Sequence, residues 1–244
     1  MKGKAKDNLA NLLQIKNFTE TSADLYFYGD IVSSWWGAWD DADQYPSAVR
    51  DFLNEAKGKD LNIYINSGGG SVFAGMAIYN MLKRHEGFKT VYVDGVAASI
   101  ASVIALAGDR VIIPANAYFM IHKPWTSATG NADFFREVID MLDTVEDGML
   151  NVYKEHLVDG VDIETIKEMV AQETWMTGEE AAKYFNIEVG QAIEAVAYSG
   201  EMLDKFQNTP QQLKQQLKNE KAQSLAEYRA RLNFLKLKGG MIDE

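Results

Sequence analysis

Leu61-Asn-Ile-Tyr-Ile-Asn-Ser-Gly-Gly-Gly-Ser-Val-Phe-Ala-Gly-Met-Ala-Ile-Tyr79 decides the fold class. Leu61 to Ile65 is a β-prone run, Asn66 to Ser71 a glycine-rich turn, and Val72 to His85 carries helical spacing. Thr90-Val-Tyr-Val93 then reads as a second strand, closed by Asp94-Gly95. Strand, turn, helix, strand at this spacing predicts βαβ units around a parallel sheet. Downstream, Ile100 to Leu106 reads as an apolar helix, and Arg110 to Ile113 and Ala117 to Ile121 as strands. Upstream, Leu25-Tyr-Phe-Tyr28 is another strand, and Ser47 to Lys57 has helical spacing at Val49, Phe52, Leu53 and Ala56.

Ala132 to His156 is a long helical pattern, with Phe135, Val138, Ile139, Leu142, Val145, Met149 and Val152 at three- and four-residue steps. Ile163 to Ala171 is a short helix with Asp162 placed to cap it, and Thr177-Gly-Glu-Glu180 matches a capping box. Ala192 to Ala197 is expected to be a last strand. The expected organisation is a polar leader at 1–22, a catalytic α/β domain at 23–198 and a polar extension at 199–244. That extension carries a short amphipathic helix over Leu225 to Leu237. Trp35, Trp36 and Trp39 form an aromatic cluster.

Composition narrows the function classes. With 244 residues, 47% of them hydrophobic, the chain can bury one large core. No cysteine is present, which excludes disulfides, thiolate metal sites and a cysteine nucleophile. The net charge of −11 and the lack of a basic stripe argue against nucleic acid. The most apolar stretch, Val96 to Gly108, is too short to span a membrane, and Met1 to Asn11 lacks the apolar run of a signal peptide. The expected setting is the cytoplasm.

Three segments carry candidate chemistry. The glycines at 68–70 allow positive φ and close approach of backbone N–H groups to an anion. Taken alone this is equally a tight strand-to-helix turn, and phosphate binding is disfavoured because no lysine follows at the P-loop position. In Asp94-Gly-Val-Ala-Ala-Ser-Ile-Ala101, Ser99 opens an apolar helix, where the positive helix end would favour an oxyanion. Taken alone, Ser99 reads as an N-cap. In Tyr118-Phe-Met-Ile-His-Lys-Pro124, His122 ends an apolar strand, suited in pKa to take a serine proton but open to a purely structural reading. His85 and His156 read as solvated.

Together these segments resemble the Clp protease family of serine peptidases. The matching stretches are Tyr64-Ile-Asn-Ser-Gly-Gly-Gly-Ser-Val72, Ala74-Gly-Met-Ala-Ile-Tyr79, Gly95-Val-Ala-Ala-Ser-Ile100 and Met120-Ile-His-Lys-Pro124, within residues 23–198. The resemblance implies an α/β Clp protease/crotonase-like fold of repeated ββα units with a projecting long helix. It implies Ser99 as nucleophile, His122 as general base, and the N–H groups of Gly69 and Ile100 as oxyanion hole. A substrate groove would start at Gly70, Ser71, Lys123, Pro124 and Trp125. The family's aspartate falls on Glu173 here, a departure. Glutamate can orient a histidine, yet Glu173 can equally be read as a surface carboxylate. Gly68 replaces the family's usual proline.

The resemblance also implies a polypeptide substrate and a homo-oligomer of heptameric or stacked rings interlocked through helix 132–156. A long helix packed on its own domain is the other reading. Action without an ATPase and assistance by an ATPase partner both stay open, and no residue pattern implies a metal or an organic cofactor. Gly68, Glu173, the tryptophan cluster and the extension are similar to Clp-type peptidases of phage head-assembly modules, which implies phage capsid or scaffold precursors as partners. Two rivals share the fold: a crotonase-like acyl-CoA enzyme and a catalytically silent shell subunit.

Overall fold

The run Leu25-Tyr-Phe-Tyr28 lies in strand β1 (Ser22–Tyr28), which pairs in parallel with β2 (Asp60–Ser67) in a computed structural model describing residues 18–33, 44–192, 202–211 and 213–215. Between them lies helix α1 (Pro46–Glu55), opened by a proline whose missing N–H costs nothing in a first turn. The glycine turn leads from β2 into α2 (Val72–Lys83), capped by the Ser71 side chain. Next come β3 (Lys89–Ala98), α3 (Ile100–Ala105), β4 (Arg110–Pro114) and β5 (Tyr118–Ile121). The chain continues through α4 (Ala132–Glu155), α5 (Ile163–Ala171), β6 (Thr174–Thr177), α6 (Gly178–Ala181), β7 (Glu188–Gly190) and a 3-10 turn at Met202–Lys205. The mixed α/β architecture with a largely parallel sheet agrees with the expected fold class.

Residue alternation builds the sheet. Leu25, Phe27, Ile63, Ile65, Val91 and Val93 are buried on one face. On the other, the parallel register sets Tyr26 beside Tyr64 and Tyr64 beside Tyr92, and the rings stack at 4.7 and 5.3 Å. The order β1-β2-β3-β4-β7 is parallel throughout. β3 is long enough to serve two neighbours. Its first half pairs with β4, and past an irregularity its last residues pair with β5. Asp94-Gly95, expected as a turn, is that mid-strand irregularity. The Asn66 side chain accepts from Val96 N–H at 3.2 Å and fills the space a Cβ on Gly95 would need.

Two compact units divide the chain, one ending at Asn208 and the other beginning at Thr209. The leader is described only from Phe18, and Ser22 already belongs to β1. The tryptophan cluster, most of the expected strand at 192–197 and the helix at 225–237 lie outside the described residues. Two short strands, β6 and β7, are additions to the sequence reading.

The long helix α4 is 24 residues, about 36 Å at the α-helical rise. Only its last turns are buried, through Met149, Leu150, Val152 and Tyr153. Phe134, Phe135, Ile139 and Met141 are exposed, so the helix stands away from its own domain for most of its length. No described helix is long and apolar enough to cross a membrane.

Candidate active site

Register brings the candidate nucleophile and base together. Ala98 pairs with Met120 at the C-terminal ends of β3 and β5, and Ser99 N–H donates to the Met120 carbonyl at 2.9 Å. Ser99 and His122 then lie side by side, with Ser99 Oγ 2.8 Å from His122 Nε2. Ends of parallel strands are where open α/β sheets present ligand sites. The N-cap reading of Ser99 can be judged directly. Ser99 precedes α3 but its side chain makes no cap bond, and its backbone sits at φ 56°, ψ −129°. A non-glycine residue in that region costs about 1–3 kcal/mol and marks a constrained site.

The strain is held by a buried chain of hydroxyls that the sequence reading did not single out. Ser102 Oγ donates to the Ser99 carbonyl at 2.6 Å and is itself 2.8 Å from the Tyr153 hydroxyl on α4. Tyr153 is fully buried, and burial pushes its hydroxyl well above its ordinary pKa. The hint in the sequence was a polar Ser102 within an otherwise apolar helix.

The glycine turn closes on the nucleophile from the other side. Gly69 has φ 93°, and a Cβ there would come within 2.8 Å of Ser99 Cβ and 3.2 Å of Ile100 N. The two proposed oxyanion donors are thus adjacent. Ile100, first residue of α3, has an N–H with no partner inside its own helix. Gly69 N–H donates to Ser67 Oγ at 3.1 Å, a bond it would exchange for one to an oxyanion, and Ser67 Oγ in turn donates to the Gly29 carbonyl. The turn's outer edge is bonded to Ile31, which donates to Gly69 O at 2.8 Å and accepts from Ser71 N–H at 2.7 Å. Gly70 (φ 143°) lies flush against Ile31, where a side chain would collide with backbone.

Glu173 arrives from a different part of the fold. Ile121 pairs with Thr174 across the antiparallel β5–β6 ladder, so one step further Glu173 faces His122. Glu173 takes φ 52° just after α5, the left-handed place where glycine commonly ends a helix. Its carboxylate accepts from Trp175 Nε1 (3.3 Å), Gln207 N–H (3.0 Å) and Asn208 N–H (2.6 Å). Among the described residues it makes no hydrogen bond to His122, whose ring is hydrogen-bonded to Ser99. Its charge is nevertheless felt. Burial lowers the His122 pKa below its ordinary value, and the Glu173 charge partly opposes this.

Of the remaining predicted groove residues, Ser71 caps α2, Lys123 pairs with Glu146 of α4 at 3.1 Å, and Trp125 is half exposed with the Lys205 ammonium 6.0 Å above its ring. Pro124, Lys123 and Trp125 line, with His122, Glu173 and Phe206, a cavity of about 460 Å³. Phe206 is a further neighbour missed in the sequence; its ring stands edge-on to His122 at 5.0 Å. His85 and His156 are less solvated than expected. His85 Nε2 bonds the Lys59 carbonyl at 2.7 Å, and burial lowers the His156 pKa beside Tyr79. No three described His, Cys, Asp or Glu side chains converge as metal ligands would.

The fold and site define an α/β protein with a serine–histidine pair at the carboxyl ends of parallel strands. The chain belongs to the Clp protease family, whose model matches residues 47–188, more than half of its length. It is 32% identical over 130 residues to the ATP-dependent Clp protease proteolytic subunit of Bacteroides fragilis, covering 52% of this chain and 61% of that one. It is 36% identical over 131 residues to the protein of the same name from Ligilactobacillus salivarius, covering 52% of this chain and 64% of that one. The match thus spans about three fifths of these relatives' length.

Proposed function

We propose that the chain is a serine endopeptidase. The observation that carries this reading is the 2.8 Å Ser99–His122 contact, made by a serine whose strained backbone is spent on no capping bond. Ser99 Oγ attacks the scissile carbonyl carbon as His122 Nε2 takes the hydroxyl proton. The oxyanion forms against the N–H groups of Gly69 and Ile100. His122 returns the proton to the leaving amine, and the resulting acyl-enzyme is hydrolysed by a water that His122 deprotonates. Glu173 turns its carboxylate to the imidazole and stabilises the imidazolium. Gly70, Ser71, Lys123, Pro124 and Trp125 line the groove for an extended chain.

The exposed apolar face of α4 supports assembly into stacked rings, and Gly68, Glu173 and the extension support a role in processing phage scaffold or capsid precursors. The names of the relatives support an ATPase partner as the alternative means of substrate delivery. The test is labelling by a fluorophosphonate probe, with hydrolysis of an unfolded polypeptide alongside. Wild type is expected to be labelled at Ser99, and Ser99→Ala and His122→Ala are expected to show neither labelling nor hydrolysis. Labelling that survives Ser99→Ala, or its absence from wild type and from every folded variant that keeps Ser99 and His122, overturns the reading.

A further inference from the structure

A segment outside the matched family region lies over the site. Phe206 is 5% exposed, its ring 5.0 Å from the His122 ring and 5.8 Å from that of Trp175, edge-on to both. The next two residues give consecutive backbone N–H groups to the two oxygens of one carboxylate, Glu173. The Asn208 side-chain amide adds a bond to the Gln172 carbonyl at 2.9 Å. Ser99 is 5% exposed, and His122, against the Phe206 ring, 7%. That burial does not suit a nucleophile and base that must meet a peptide. The carboxylate assigned to the imidazole meanwhile accepts from three donors, none of them His122.

We infer that Phe206-Gln207-Asn208 is the chain's own peptide ligand, bound across His122 and holding the site shut. The inference rests on the proposed serine chemistry and adds a binding subsite to it. The subsite takes an aromatic side chain between His122 and Trp175, and Glu173 receives the main-chain N–H groups of the two following residues. Its ligand class is therefore an extended peptide with an aromatic residue followed by two residues other than proline, since proline has no N–H to give. Opening has two effects. It uncovers Ser99 and His122, and it frees the Glu173 carboxylate to turn to the ring beside it. A competing peptide of the same class could displace the segment, and so could tension on the chain beyond it.

The test is the rate of fluorophosphonate labelling of the full chain, with folding followed by circular dichroism. Phe206→Ala is expected to label roughly tenfold faster than wild type, since it removes a buried aromatic contact. Asn208→Pro, which deletes the shortest N–H bond to Glu173, is expected to give a smaller acceleration, and it decides the matter if Phe206→Ala does not fold. Acetyl-Lys-Phe-Gln-Asn-amide added to Phe206→Ala should slow labelling again, and the same peptide with alanine for phenylalanine should not. Equal or slower labelling of folded variants than of wild type, all at Ser99, overturns the strap while leaving the peptidase standing. No labelling of Ser99 in any folded protein overturns the peptidase reading and the strap with it.

Discussion

The two halves of the candidate site are built in opposite ways. On the nucleophile side, Ser99, Gly69, Ile100 and Ser102 are fixed by backbone. Parallel strands end together, a glycine turn presses on the serine, and hydroxyls clamp its carbonyl. On the carboxylate side, Glu173 sits in the turn just before a four-residue strand and directs its bonds to Trp175 and to a segment more than thirty residues further along the chain. The first half is positioned by the core and can change little. The second is positioned by contacts that a single segment can make or break. In this arrangement the Ser99–His122 contact is formed while the Glu173 carboxylate is bonded elsewhere.

Substitutions can break or sharpen that contrast. The largest effect is expected at the rigid half: Ser99→Ala or His122→Ala should lower hydrolysis by about 10⁴-fold or more with unchanged circular dichroism. Gly69→Ala comes next. At φ 93° its new Cβ meets the Ala98 carbonyl at 2.7 Å. The turn must move, and a loss of about 100-fold in kcat is expected from a displaced oxyanion donor. A near-normal kcat there would show that the turn is as adaptable as the other half.

Tyr153→Phe should be milder, removing the far end of the hydroxyl chain while Ser102 still holds Ser99. A loss of about 1–2 kcal/mol in denaturant unfolding is expected, with KM unchanged. The smallest effect is in pH dependence. Since burial lowers the His122 pKa, the ring stays neutral, and able to act as a base, to below the ordinary 6.5. Labelling should therefore fall only as pH drops beneath that value. The unfolded chain binds a proton at this histidine before the folded one does, so its contribution to stability is complete above pH 6.5 and is lost as pH falls towards the folded pKa. Phe206→Ala, which readmits water to the ring, should move the midpoint of the labelling profile upward. An unmoved midpoint would mean that Phe206 does not desolvate the base.

The same contrast governs what could be read in the sequence. Period-two and helical spacing gave β2, α2, β4 and α5 nearly to the residue, because each is decided by local apolar pattern. Ser99 and His122 each read as structural when taken alone, and their pairing was expected from the co-occurrence of their segments with the glycine turn and the resemblance those segments carry. β3 was read short, since Gly95 and the small residues after it look like a turn until the Asn66 side chain from the neighbouring strand is seen holding it. β6 was missed because four residues with no alternation are defined only by their pairing with β5. Glu173 was placed at the site by resemblance, yet its bonds go to Gln207 and Asn208. No local pattern encodes that contact, nor the place of Phe206.

Tyr153 joins two otherwise separate regions of the molecule. It lies in the seated end of a rod whose outer turns carry Phe134, Phe135, Ile139 and Met141 in the open, and its hydroxyl ends the chain that clamps the Ser99 carbonyl. The rod is a lever with its fulcrum beneath the nucleophile. A load on the outer turns is borne at the seated end, and a shift of well under an ångström there is comparable to the tolerance of a hydrogen bond. Tyr153 thus ties the seat of the long helix to the backbone that carries Ser99.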